Sequence, residues 1–184
     1  MSKLLLTNKL QAGVTFIELL VAISILGILA AIAVPYYGDY IQRQRLQGAA
    51  EAIYGQLQLA KRAAVSNNSD VSLIIEGSGT TSWCSTYTAS TAAVSAGCVG
   101  GWVADVTNTS LKVDSANYPN VTLAASSASP VSFTMPGVGI NFSQTYTLTP
   151  TVGVANLGNV QVSVTVPQRI SICASKLSTY PACP

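Results

Sequence analysis

Residues 13–35 read Gly13-Val-Thr-Phe-Ile-Glu18-Leu-Leu-Val-Ala-Ile-Ser-Ile-Leu-Gly-Ile-Leu-Ala-Ala-Ile-Ala-Val34-Pro35, and the order of the parts in this stretch decides the architecture. An ordinary secretory signal places its small-residue cleavage site after a short apolar core. Here the small residue, Gly13, comes before the core. The apolar run covers positions 14 to 34, which is 21 residues. At 1.5 Å per residue that is about 31 Å, the hydrocarbon thickness of a bilayer. Lys3 and Lys9 lie on its N-terminal flank. Basic flanks stay on the cytoplasmic side, so the N-terminus is expected inside and the bulk of the chain outside.

Glu18 does not belong in such a helix. It sits one turn inside the apolar run, where a carboxylate costs at least ~2–3 kcal/mol on insertion scales. One resolution is that it snorkels to the headgroups from near the helix end. The other is a cation supplied by a second molecule. A cut after Gly13 creates an α-amino group on Val14, four residues before Glu18. Subunits stacked in a filament would pair one Glu18 with a neighbour's terminal amine, neutralising both charges and setting axial register. Pro35 then removes a helix hydrogen bond and crowds the preceding turn.

Beyond Tyr40, Leu46, Ala49, Ala50, Ile53, Leu57, Ala60 and Ala64 recur at three- and four-residue spacing. That period predicts an amphipathic helix whose stripe packs on a sheet. Asn67-Asn68-Ser69-Asp70 is expected to stop it, with Asn suited to a left-handed cap. Strand-like runs follow at Val71–Glu76, Gly101–Val106, Asn120–Ala124, Val131–Met135, Tyr146–Thr149 and Val160–Val166, with Gly, Pro, Asn and Ser between them. The Ser-, Thr- and Ala-rich stretch 80–97 reads as a surface loop. The four cysteines, Cys84, Cys98, Cys173 and Cys183, show no Cys-x-x-Cys spacing. With an export signal in front they read as disulfides of an oxidising compartment. Three pairings are open, and Cys84–Cys98 with Cys173–Cys183 is favoured because each closes a short loop.

Charged residues are 9% of the chain and histidine is absent. The absence excludes a Ser-His-Asp triad, a His-ligated metal and imidazole acid/base chemistry. Asp70, Glu76, Asp105 and Asp114 stand apart and read as solvated charges. Gly77-Ser-Gly79 lacks the lysine of a phosphate-binding loop. No enzyme activity, cofactor or metal is expected. Removing residues 1–13 takes Lys3 and Lys9 from nine basic residues, leaving seven against seven acidic ones. A neutral mature chain has no strong pull on nucleic acid.

Gly13-Val-Thr-Phe-Ile-Glu18-Leu-Leu-Val-Ala-Ile resembles the processing and assembly motif of type IV pilins and type II secretion pseudopilins. The resemblance implies a prepilin peptidase that cuts between Gly13 and Val14 and N-methylates Val14, where relatives more often carry Phe. It implies that Glu18 acts in assembly and that Pro35 marks where the helix can unwind as a fibre extends. The order of the head is similar to GspH-type pseudopilins and FimT/FimU-type minor pilins. Ala60-Lys-Arg-Ala-Ala-Val-Ser-Asn-Asn closes the helix and Val71-Ser-Leu-Ile opens the first strand. Gly100-Gly-Trp102-Val, Val131-Ser-Phe-Thr with Pro136-Gly137, and Arg169 in Val166-Pro-Gln-Arg-Ile follow.

The expected fold is therefore α+β, a long N-terminal helix, roughly 80 Å if unbroken, packed on an antiparallel sheet head. Expected divisions are a leader at 1–13, a membrane or filament-core helix at 14–40, and a head at 41–184. The implied function is that of a minor pilin that helps initiate or cap a pilus, linking major and other minor pilins. Implied partners also include the prepilin peptidase, the inner-membrane assembly platform and membrane lipid. The implied location is the inner membrane with the head in the periplasm, then the extracellular fibre. Two alternatives share the fold: a type II secretion pseudopilin, and a DNA-capturing minor pilin using Arg169 and Lys176. Trp83, Tyr87 and Trp102, near the first disulfide loop, fit a core better than a binding surface.

Overall fold

A computed structural model describes residues 13–88, 112–135, 139–151 and 157–184, excluding the side chains of 33–36 and 88. Lys3, Lys9, Cys98, the strand expected at 101–106, Trp102, Asp105, Pro136-Gly137 and the Pro35 side chain lie outside the description. The chain divides into two units between Gly38 and Asp39.

Helix α1 runs from Phe16 to Asn67. In the N-terminal unit its residues are apolar on every side, and the described ones are all exposed. By length and composition no single described helix crosses a membrane, while Phe16–Ile32 and Tyr37–Asn67 together qualify. Ser24, a polar exception, donates its hydroxyl to the Leu20 carbonyl at 2.8 Å. That bond satisfies the hydroxyl within the helix.

The C-terminal unit begins with the amphipathic half of α1. Leu46, Ala49, Ala50, Ile53, Leu57, Ala60 and Ala64 are all fully buried, as their spacing predicts. The helix ends in a Schellman arrangement. Asn68 takes φ 46°, its N–H donates to Val65 C=O, and Ser69 N–H donates to Ala64 C=O.

Two antiparallel sheets share the core of this unit. The first has the order β3-β2-β1-β5-β6, formed by β1 (Val71–Glu76), β2 (Cys84–Thr88), β3 (Val113–Asp114), β5 (Val131–Thr134) and β6 (Gly139–Ile140). The second has the order β4-β7-β8-β9, formed by β4 (Val121–Ala125), β7 (Gln144–Pro150), β8 (Val160–Thr165) and β9 (Arg169–Ala174). Alternation sets their faces: Val71 and Leu73 of β1, Leu123 of β4, Phe133 of β5, Tyr146 and Leu148 of β7, and Val160, Val162 and Val164 of β8 point inward with the helix stripe. The small alanines of the stripe let the helix backbone approach these strands closely.

Two expectations fail here. Residues 80–97 are not simply a surface loop. Cys84–Thr88 is strand β2, paired with β1 from Ser72↔Thr88 to Glu76↔Cys84, and Trp83, Ser85 and Thr86 are buried. Polar β2 is buried because α1 supplies a polar partner: Gln56 Nε2 donates to Ser85 C=O at 3.0 Å, and Ser85 Oγ donates to Gln56 Oε1. The segment around Arg169, where no strand is expected from the sequence, is a strand as well. It is β9, paired with β8 over its whole length.

Trp83 belongs to the core. Its Nε1–H donates to Val121 C=O at 2.8 Å, and its ring stacks on Tyr118 with centroids 6.3 Å apart. Tyr87 is half-buried against the same core. Asp70 and Asp114 are not idle charges. Asp70 accepts the Met135 N–H at 2.8 Å, and Asp114 caps the 3-10 turn Ser115–Asn117.

Candidate assembly surfaces

Gly13, Val14 and Thr15 precede the helix. Thr15 Oγ1 accepts the Glu18 N–H at 3.3 Å, and Thr15 C=O accepts the Leu19 N–H at 3.2 Å. Thr15 is thus the N-cap, and Glu18 stands at the third helical position, the spacing of a capping box. Sequence reading passed over this signal although Thr-x-x-Glu is local. A carboxylate here also meets the positive end of the helix dipole. The cap uses the Glu18 backbone, so the side chain is left for other work. It is exposed and makes no ion pair among the described residues.

Around it, Val14 is 73% and Phe16 77% exposed, and Leu19, Ile23, Leu26 and Ile28 are each more than half exposed. A helix apolar on all sides is stable only inside lipid or among other helices. Pro35 lies within α1 near the end of this unit.

The head carries the remaining candidates. Disulfide Cys173–Cys183 closes the C-terminal tail onto β9, and Ala174 N–H donates to Pro181 C=O at 2.9 Å. Cys84 is also disulfide-bonded. From the tail Leu177 enters the core. Thr179 Oγ1 accepts Gln47 Nε2–H at 2.9 Å, and Tyr180 donates its hydroxyl to Glu51 at 2.9 Å. Partial burial and the Glu51 carboxylate push the Tyr180 phenol up to about 12. The Lys112 ammonium, 2.8 Å from Asp114, and the Ala116 N–H hold the Asp114 carboxyl below its ordinary value.

Arg169 and Lys176 are both exposed, but the structure does not bring them together. Arg169 opens β9, and Lys176 follows its end at Ala174. Six residues lie between them, and the extended strand from Arg169 to Ala174 alone spans roughly 16 Å. A shared phosphate clamp is thus not formed by this pair.

An apolar helix opening on a Gly-Val-Thr-Phe-Ile-Glu motif and continuing into a stripe under a two-sheet head defines a type IV pilin-like protein. The model of the prokaryotic N-terminal methylation motif matches residues 8–34. That of the type II transport protein GspH matches residues 49–172, and the chain belongs to this GspH family.

Fimbrial protein EcpC of Eikenella corrodens is 47% identical over 49 residues, 27% of this chain and 32% of that protein. The type IV major pilin protein PilE1 of Neisseria gonorrhoeae is 49% identical over 49 residues, 27% of this chain and 30% of that one. A fimbrial protein of Pseudomonas aeruginosa is 38% identical over 63 residues, 34% of this chain and 40% of that one. The matches thus span about a third of the length of these curated relatives. In structure, the chain is similar to the type IV minor pilin FimU of Pseudomonas aeruginosa. The TM-score is 0.51 at 22% identity, covering 74% of this chain and 93% of that one. That likeness is one of fold.

Proposed function

We propose that this chain is a minor pilin that helps initiate or cap a type IV pilus by joining major and other minor subunits. The observation that carries the reading is an apolar helix, exposed on all sides, whose capped Glu18 leaves its carboxylate without an ionic partner among the described residues. In this reading the prepilin peptidase cuts between Gly13 and Val14 and methylates Val14. The single-pass precursor sits in the inner membrane with its head in the periplasm, where the assembly platform collects it. Glu18 then meets a neighbour's terminal amine in the fibre core, Pro35 gives the helix a place to yield, and the head presents its surface to adjacent subunits. It performs no chemistry.

The test is a count of surface pili by electron microscopy in cells lacking the gene. Loss or sharp reduction is the expected result, and a normal count sinks the priming role. The family description favours a second reading, a pseudopilin of type II secretion. There the same deletion leaves pili intact and blocks release of secreted proteins. Capture of DNA has less support, because Arg169 opens β9 while Lys176 lies beyond its far end.

A further inference from the structure

We propose that the open half of β9 is a docking edge that takes an extended segment of a neighbouring subunit as an added strand. The identity of the occupant rests on the filament reading above; the site rests on the backbone of the head.

Two sheets have four outer strands, and three of them are closed to further pairing among the described residues. β3 and β6 are two residues each, too short to template another chain. β4 has five residues, but its outer side is used by the β1–β2 connection. Leu123 C=O accepts Gly79 N–H at 2.8 Å, Val121 C=O accepts Trp83 Nε1–H at 2.8 Å, and Ala125 N–H donates to Ser78 Oγ at 2.9 Å.

β9 is different. Ser175 N–H donates inward to Asn159 C=O at 3.0 Å, while Ala174 N–H donates outward to the tail. With Ile172 opposite Val162 and Ile170 opposite Val164, antiparallel alternation also turns the N–H and C=O of Ile170 and Ile172 outward. The tail pairs only at the far end, through the parallel bridge Ala174↔Ala182. No described residue hydrogen-bonds the outward groups of Ile170 or Ile172.

These groups repeat every two residues, about 7 Å apart, and the complement of that spacing is another extended backbone. Addition of a strand to a sheet edge is an established mode of peptide recognition. Pro181 limits the added segment at one end. At the other, Arg169 is exposed and has no carboxylate partner among the described residues. The neighbour's segment therefore carries an Asp or Glu beside Arg169.

Residue-resolved amide exchange compares the full chain in detergent micelles with the chain in fibres sheared from cells. The Ile170 and Ile172 amides are expected to slow by at least about tenfold in fibres. Ser171, already paired with Ser163, serves as the unchanged reference. Unaltered exchange at both isoleucines, in fibres that contain the chain and protect its N-terminal helix, overturns the docking edge alone. Absence of the chain from fibres defeats the filament reading itself. Arg169→Glu, at an exposed position, is expected to keep the melting temperature and lower fibre incorporation about tenfold. Unchanged incorporation of that variant removes the acidic complement.

Discussion

Replacing Glu18 with Gln separates the helix cap from the proposed charge pairing. The N-cap bond runs from the Glu18 backbone to Thr15 Oγ1, so Glu18→Gln keeps the cap and removes only the charge. If the carboxylate neutralises a neighbour's terminal amine inside an apolar fibre core, its loss leaves a buried, unpaired cation. Breaking a buried pair from one side costs about 3–5 kcal/mol, and 1.4 kcal/mol is tenfold. Incorporation should therefore fall by more than about 100-fold. Thr15→Ala removes the cap and keeps the charge; loss of a cap costs about 1 kcal/mol, or about fivefold. The assay is an immunoblot of sheared fibres against whole-cell content, with mass spectrometry confirming that each variant begins at Val14. Two results refute the reasoning. Glu18→Gln within about tenfold of wild type would show that no buried amine depends on it. A fall in Thr15→Ala as deep as in Glu18→Gln would make the cap, and not the charge, the decisive part.

Ile53→Ala, at a fully buried stripe position, should lower unfolding stability by about 2–5 kcal/mol in urea titrations. Val65→Ala, on the exposed side at 52%, should stay within about 0.5 kcal/mol. Gly77 takes φ +68°, and a Cβ there would collide with the Ser82 carbonyl, so Gly77→Ala should cost more than about 2 kcal/mol. Gly79, at φ +82° with open space around it, should cost only the backbone part, about 1 kcal/mol, on substitution by Ala. The phenol of Tyr180 is raised from 10.0 to about 12, so the folded state favours its neutral form. Its contribution is complete below pH 10 and is lost as pH rises through about 12. Urea midpoints should therefore fall more between pH 9 and 11.5 in the wild type than in Tyr180→Phe.

The helix was the legible part of this sequence because its signals are local. The stripe from Leu46 to Ala64 is set by three- and four-residue spacing alone, and its stop by Asn68 in the left-handed region. Most described strands were legible for the same reason, since residues such as Val71, Leu73, Val160 and Val162 alternate inward. β2 was not. Cys84-Ser-Thr-Tyr-Thr carries no apolar alternation, and what buries it is Gln56, 29 residues earlier. A polar pair that distant has no periodicity to betray it. Gln56 itself follows Ile53 by three residues and so lies beside the stripe, but a glutamine adds nothing to an apolar periodicity. β9 does alternate, Ile170-Ser-Ile172-Cys, but Arg169 and Lys176 drew the reading toward a charged patch. Charge spacing along a chain becomes spacing in space only once the local conformation is known, and extension separates the pair.

Twelve large apolar side chains between Val14 and Ile32 are exposed among the described residues. Burying each is worth about 1.5–3 kcal/mol, a total well above the 5–15 kcal/mol that holds a typical domain together. The segment therefore never persists bare in water; in the proposed reading lipid covers it before assembly and neighbouring helices cover it after. Moving between those surroundings exchanges one apolar medium for another, so hydrophobic burial scarcely favours the fibre over the membrane. The bias must come from groups that differ between the two states. In the proposed reading the Glu18 carboxylate is costly in lipid and neutralised beside a neighbour's terminal amine in the fibre. The outward backbone of Ile170 and Ile172 is solvated on a free head and paired beside a neighbour's strand. The two predictions built on them, loss of incorporation in Glu18→Gln and slowed exchange at β9, therefore test the two ends of one driving force. A variant carrying both Glu18→Gln and Arg169→Glu should show the two losses multiplying, because the two residues touch no group in common among the described residues. A double variant no worse than Glu18→Gln alone would mean that the head edge engages only after the helix has paired.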